Sequence, residues 1–164
     1  MSGEPEWLAT TTCLCLAARR AARAITREFD RGLRPHGLRA TQFTLLSALA
    51  LRGETRVGDL AALLGLERTT LTRNLAIVEA EGLVQAVSGH DRRERHYEIS
   101  AHGRRSLQRA LPTWQKIQQR LTAQLGDATA QSLRQLSGGP SLLLPGRDPS
   151  GSPNNSAATT RSSR

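Results

Sequence analysis

Aromatic residues are scarce in this 164-residue chain, which has two tryptophans, one tyrosine and two phenylalanines. A core with so few rings must be built from Leu, Ala, Ile and Val. Because Leu and Ala are strong helix formers, the shortage of rings favours a mainly helical fold. The length suits one domain with a modest core, or one protomer of a dimer.

Long apolar runs are also missing, since no stretch reaches the ~18 residues that a membrane span needs. Glu4 and Glu6 stand where a secretory signal would carry basic residues, and arginines soon interrupt the next apolar stretch. The only two cysteines, Cys13 and Cys15, are too close together for an ordinary structural disulfide. We therefore expect a cytoplasmic protein with no membrane partner.

Negative charge is in the minority, because 14 acidic residues face 23 basic ones and the formal net charge is +9. Lys116 is the only lysine, so the positive charge comes almost entirely from arginine. Arginine can contact phosphate or guanine through two hydrogen bonds at once. The charge is compatible with a nucleic-acid partner but does not by itself identify one.

The sequence motifs of several enzyme classes are absent. There is no G-x-S-x-G, no H-E-x-x-H and no phosphate-binding loop. The four histidines are not spaced as metal ligands. We therefore predict a protein that is not an enzyme and that has no catalytic residue, no metal and no cofactor.

Hydrophobic periodicity predicts the order of the secondary-structure elements. Ser100 is a candidate N-cap for a long helix with an apolar stripe that extends beyond what a small domain covers. This excess predicts packing against a second chain. The other predicted elements are helices over 10–33, 41–51, 57–64, 67–81 and 127–137, and strands over 83–87 and 95–99.

The stretch from Val57 to Gly103 carries the main functional signal. A short helix, a glycine turn, a helix with a polar leading face and a basic hairpin form the order of a winged helix-turn-helix. Arg can bind guanine, Asn can bind adenine, and Thr can contact phosphate or a thymine methyl. The second helix offers these residue types in its first turns: Arg68, Thr69, Thr70, Thr72, Arg73 and Asn74. The alternative is an ordinary amphipathic helix with a solvated polar face.

The loop between the two predicted strands is the second candidate contact. Arg92 and Arg93 lie in this loop and Arg95 follows it at the start of the next strand. A narrow minor groove attracts an inserted arginine through its negative potential. Asp91 is placed to brace one of these side chains. A charged loop that is merely solvated is the alternative.

Three segments resemble the MarR family of bacterial transcriptional regulators, and together they span roughly residues 12–136. LGLERTTLTRNLAIVEAEGLV is similar to the recognition helix of the family, and RPHGLRATQFTLLSAL to the junction of its first two helices. DRRER followed by HYEISAHGRR is similar to its wing and the start of its fifth helix. The resemblance implies a homodimer, usually a repressor, that binds a near-palindromic operator in duplex DNA. It also implies wing-tip roles for Asp91 and Arg93.

These observations divide the chain into four parts. The segment after Ser137 is rich in Gly, Pro, Ser, Asn and Thr, which predicts a disordered tail. The predicted parts are an N-terminal segment with a dimerisation helix (1–37), a winged helix-turn-helix DNA-binding domain (38–100), C-terminal dimerisation helices (101–137) and the tail (138–164).

Cys13 and Cys15 are candidate thiol sensors that respond to an oxidant. In the organic-hydroperoxide sensors of the family, a reactive cysteine lies in the first helix and a glutamine in the second. The number of residues between these two positions equals the number between Cys15 and Gln42. The tyrosines that support that cysteine are replaced here by Arg19, Phe29 and Ala40. Simple core packing of the two thiols and binding of a soft metal by the C-x-C pair are the alternatives.

A small aromatic acid is the other candidate effector, because many family members bind one between the dimer helices and the DNA-binding lobe. Its carboxylate would need a cation, and Arg19, Arg20, Arg23 and His36 are candidates by location. They are equally compatible with ordinary surface charge. A protein-interaction module that keeps the winged fold without specific DNA binding is the alternative function, although its helix would be expected to carry an apolar anchor.

Overall fold

The computed structural model describes residues 12–87 and 95–138. It is mainly helical with a small antiparallel sheet, which confirms the predicted fold class. The predicted tail, apart from its first residue, lies outside the described residues. The elements are α1 (Leu14–Leu33), α2 (Ala40–Arg52), β1 (Thr55–Arg56), α3 (Val57–Leu64), α4 (Arg68–Ala80), β2 (Val84–Val87), β3 (His96–Ile99), α5 (Ala101–Leu125) and α6 (Asp127–Leu136).

The turn between α3 and α4 is made by Gly65, as predicted. Its backbone is left-handed, with φ 61° and ψ 35°, a conformation that glycine adopts without strain. The Leu66 N–H then donates to the carbonyl oxygen of Ala61 at 2.9 Å, which closes the end of α3. The turn therefore fixes the angle at which α4 leaves α3.

The sheet has the strand order β1-β3-β2, with both pairings antiparallel. Ala86 and Thr55 both lie opposite Tyr97 in the register, on either side of it. The two-residue strand β1 was not predicted, since alternation cannot be recognised in so short a segment. The Val57 N–H at the start of α3 donates to the carbonyl oxygen of Arg95 at 3.0 Å. The base of the wing is therefore tied to the helix-turn-helix.

Aliphatic side chains form the core, as the composition predicts. Three of the few aromatic residues meet where α1, α2 and α5 pack together. The Trp114 ring stacks on Phe43, with centroids 5.6 Å apart, and on Phe29, with centroids 6.3 Å apart. The largest fully buried side chains are Leu33, Leu45, Leu46, Leu49, Leu60, Leu71, Leu75 and Val78.

The start of α5 is held against the turn that precedes β2. Ser100 caps the helix as predicted, because its Oγ accepts the Gly103 N–H at 2.9 Å. The same hydroxyl donates to the carbonyl oxygen of Gly82 at 2.6 Å. The helix then continues through Pro112 to Leu125.

The apolar stripes of the outer helices are only partly covered within one chain. On α1, Leu33 is fully buried while Leu14 is 85% exposed. At the end of α6, Leu136 is 86% exposed. In the part of the chain that the structure describes, no helix is long and apolar enough to cross a membrane.

Candidate nucleic-acid interface

Helix α4 turns a polar face away from the core. Leu71 and Leu75 are almost fully buried on its inner side. Thr69 and Arg73 are exposed and four positions apart, so they share one face about half a turn of the helix away from those leucines. These two side chains stand where a recognition helix presents its reading residues.

The other four candidates on α4 differ in their exposure and hydrogen bonding. Arg68 begins the helix and, like Thr70, is exposed, whereas Asn74 is half-buried. The Thr72 hydroxyl donates to the carbonyl oxygen of Arg68 at 2.8 Å, so its proton is used within the helix. All six predicted residues are thus on one helix, with Thr69 and Arg73 at the centre of the outer face.

The wing is described only at its base. The predicted contacts Asp91, Arg92 and Arg93 lie outside the described residues. Arg95 is exposed immediately before β3. Next to it, His96 Nδ1 lies 2.9 Å from Glu54 Oε1, and its side chain is 14% exposed. This contact joins β3 to the segment between α2 and β1.

Tyr97 connects the sheet to the recognition helix. It is buried on β3, and its hydroxyl donates to Glu79 Oε2 on α4 at 3.1 Å. Burial raises the pKa of Tyr97 above its usual 10.0, the hydrogen bond to Glu79 raises it further, and Arg95 acts in the opposite direction. Sequence analysis missed this contact; the only signal was a single tyrosine at an inward strand position.

A second polar contact, also missed, holds α4 to α2. Gln42 Nε2 donates to Glu81 Oε2 at 2.9 Å, while Gln42 Oε1 accepts the Arg39 N–H at 2.8 Å. The Gln42 side chain therefore caps α2 and contacts the end of α4 at the same time.

Arg56 and Asp59 form an ion pair at the start of α3. Arg56 Nε and one terminal nitrogen lie 2.8 and 3.1 Å from the two carboxylate oxygens of Asp59. This hydrogen bonding is the main reason that the pKa of Asp59 is lowered. Both side chains are about half exposed, so the pair contributes little to stability.

The candidate sensor thiols lie at the start of α1. Cys13 is the residue before the helix and Cys15 is in its first turn. Both are free thiols and exposed within the single chain, so neither forms part of its core. Arg19 is also exposed and follows Cys15 by one helical turn.

The four candidate crevice residues do not come together as one group. Arg20 and Arg23 line, with Arg27, an open depression of about 490 Å³ on α1, and Arg19 does not line it. His36 lies beyond the far end of α1, roughly 20 Å along the helix axis from Arg20. There its Nε2 is 2.8 Å from Thr113 Oγ1. Across residues 12–87 and 95–138, no cluster of side chains is suited to hold a metal ion.

Comparison with known proteins places this geometry in a family. The sequence profile of the MarR family matches residues 36–94. The Mycobacterium tuberculosis transcriptional regulator MosR, in a crystal structure with DNA, is 41% identical with a TM-score of 0.70, over 77% of this chain and 94% of that one. The repressor CouR, bound to a 23-mer DNA duplex, is 25% identical with a TM-score of 0.69, over 82% and 96%.

A curated relative leads to the same conclusion. The uncharacterized HTH-type transcriptional regulator YwoH of Bacillus subtilis is 25% identical over 116 residues, which are 71% of this chain and 85% of YwoH. The family profile covers the helix-turn-helix, and the identity to MosR extends over most of both chains. The chain therefore belongs to the MarR family of winged helix-turn-helix transcriptional regulators.

Proposed function

We propose that this protein is a repressor that binds a specific, near-palindromic operator in duplex DNA as a homodimer, in the cytoplasm. The observation that carries the proposal is the position of Thr69 and Arg73, exposed on α4 opposite its buried leucines. The crystal structure of MosR with DNA and the structure of CouR bound to a DNA duplex support duplex DNA as the ligand.

In this proposal α4 enters the major groove. Arg73 forms two hydrogen bonds to a guanine, and Thr69 and Thr70 contact a phosphate or a thymine methyl. Arg68 and Asn74 contact the groove from the sides of the helix. The wing reaches the neighbouring minor groove through Arg92, Arg93 and Arg95, with Asp91 bracing one of them.

The homodimer is supported by the apolar surface that one chain leaves uncovered. Among the large apolar side chains of the described residues, Leu14 at the start of α1 and Leu136 at the end of α6 have the largest exposed fractions. Pairing these helices with a second copy would bury both residues. Because a twofold dimer presents two identical recognition helices, its operator has to be near-palindromic.

Selection from a random duplex pool, followed by binding measured at several salt concentrations, tests this function. We expect one enriched palindromic sequence, bound in the nanomolar range, with an affinity that falls steeply with salt. Arg73→Ala should change which bases are preferred, whereas Arg93→Ala should lower the affinity for all sequences by a similar factor. No enriched sequence, or an equal loss on every sequence for both variants, would contradict the proposal.

Release from DNA is the regulated step in this proposal, and oxidation of a thiol is one candidate signal. Both cysteines are exposed and so are accessible to an oxidant, and Arg19 follows Cys15 by one helical turn. An organic hydroperoxide would then oxidise Cys15 to a sulfenic acid, with the peroxide reduced to an alcohol. The Cys15→Ser variant should stay bound to the operator when peroxide is added, and Cys13→Ser is the matched comparison. If peroxide releases both variants as it releases the parent protein, the thiols are excluded as the sensor.

A small aromatic acid is the other candidate signal. Its carboxylate would bind beside Arg20 and Arg23, which line the depression on α1. Release by salicylate that is lost in Arg20→Ala and kept in Cys15→Ser would assign the switch to a ligand. Release by peroxide that is lost in Cys15→Ser and kept in Arg20→Ala would assign the switch to the thiol.

A further inference from the structure

Ile77 is an exposed apolar side chain on the outer face of α4. Its side chain is 52% exposed, although the helix buries Leu71, Leu75 and Val78 on the opposite side. It follows Arg73 by four residues, so it lies one turn further along the face that carries the candidate base contacts. The DNA contacts predicted from the sequence end at Asn74 and do not include this position.

Two exposed alanines, Ala76 and Ala80, lie beside Ile77 on this part of the helix. The nearest carboxylates in the sequence belong to Glu79 and Glu81, and hydrogen bonds hold them to Tyr97 and Gln42 respectively. Glu81 is exposed and follows Ile77 by four residues, so the apolar part of the outer face lies between Arg73 and the end of the helix.

A single exposed isoleucine is common on protein surfaces, so its location is what carries the argument. Among the described residues, the other large exposed apolar side chains lie on α1, α2, α5 and α6. Ile77 therefore does not extend the uncovered surface that the proposed dimer would bury. It continues the face that would enter the major groove.

The apolar group that base pairs display in the major groove is the C5-methyl of thymine. We propose that Ile77, flanked by Ala76, packs on the C5-methyl of one thymine in each half of the operator. This inference rests on the proposed function, and it adds a base preference for thymine next to the bases that Arg73 reads.

A thymine-to-deoxyuracil scan of the selected operator tests the proposal. Deoxyuracil keeps every hydrogen-bonding group of thymine and lacks only the methyl group. At one thymine of each half-site, removal of the methyl group should lower the affinity of the wild-type protein by about fourfold, the value expected for one buried carbon. Ile77→Ala should bind the thymine operator more weakly and should be insensitive to that replacement.

Leu51→Ala is the matched control, because Leu51 lies on α2 and its exposed fraction of 50% is almost the same. This variant should give the wild-type scan. If each deoxyuracil replacement changes the affinity of Ile77→Ala as much as that of the wild-type protein, Ile77 does not contact a thymine methyl. The proposed specific binding would be unaffected by that result. If the wild-type protein selects no sequence, both the methyl contact and the proposed function fail.

Discussion

Gly103 is the residue where a side chain is least tolerated among the described glycines. A β-carbon built on it would collide with the carbonyl oxygen of Leu83. That oxygen also accepts the Ser100 N–H at 3.1 Å, so it cannot move away without breaking a hydrogen bond. The first turn of α5 thus lies directly against backbone at the base of the wing.

We expect Gly103→Ala to lower the free energy of unfolding by about 1–3 kcal/mol, the usual cost of overpacking a close contact. Gly58→Ala is the control, because Gly58 lies in α3 with nothing within 4 Å of its added β-carbon. It should be neutral or stabilise by roughly 0.5–1 kcal/mol, since alanine is the better helix former. Urea unfolding measures both, and equal midpoints for the two variants would show that the Leu83 contact yields easily.

Residues on one helix could be predicted more reliably than contacts between elements. The exposure of Thr69 and Arg73 follows from the helical period alone, since it fixes the face opposite Leu71 and Leu75. The hydrogen bond from Tyr97 to Glu79 depends on how β3 packs against α4, which no local pattern encodes. The exposed face of α4 was therefore predictable, whereas the contacts that orient the helix were not.

At the scale of elements, α4 and the base of the wing are joined into one assembly. Tyr97 joins α4 to β3, and the start of α3 bonds to the backbone of Arg95 beside the wing. The unpredicted strand β1 completes this arrangement, because it places the start of α3 next to β3. The spacing between a major-groove helix and a minor-groove wing depends on such contacts.

Tyr97 should report on the contact between α4 and β3 through its titration. Its pKa is higher in the folded chain than in the unfolded chain, mainly because of burial and then because of Glu79. As the pH rises, the unfolded chain loses this proton first. The stability that Tyr97 contributes should therefore be complete below about pH 10 and be lost as the pH rises through the folded pKa.

The chain has a single tyrosine, so tyrosinate absorbance follows this residue alone. We expect Glu79→Gln to move the titration towards the usual pKa without reaching it, because burial remains. Tyr97→Phe should cost about 1 kcal/mol at neutral pH and should flatten the loss of stability at high pH. A titration that Glu79→Gln leaves unchanged would mean that Glu79 has no electrostatic role at this contact.

At the scale of the whole molecule, the two ends of the described helical segment share one property. Leu14 and Leu136 are 85% and 86% exposed, more than the other large apolar side chains of the described residues. The winged domain between them is well packed, with Leu45, Leu60 and Leu71 fully buried. A single chain therefore buries the core of its winged domain and leaves these two apolar side chains uncovered.

Replacing Leu136 with aspartate tests whether that second copy exists. A buried leucine contributes about 2 kcal/mol, and a twofold interface contains it twice, so the dissociation constant of the dimer should rise by roughly a thousandfold. In sedimentation equilibrium, we expect the wild-type protein at twice the 17.8 kDa mass of the chain and Leu136→Asp close to that single mass. Leu51→Asp, equally apolar before substitution but on α2, should remain dimeric. Operator affinity should fall with the loss of the dimer, because a single recognition helix contacts only one half-site. If Leu136→Asp keeps both the dimer mass and the affinity, the interface lies elsewhere.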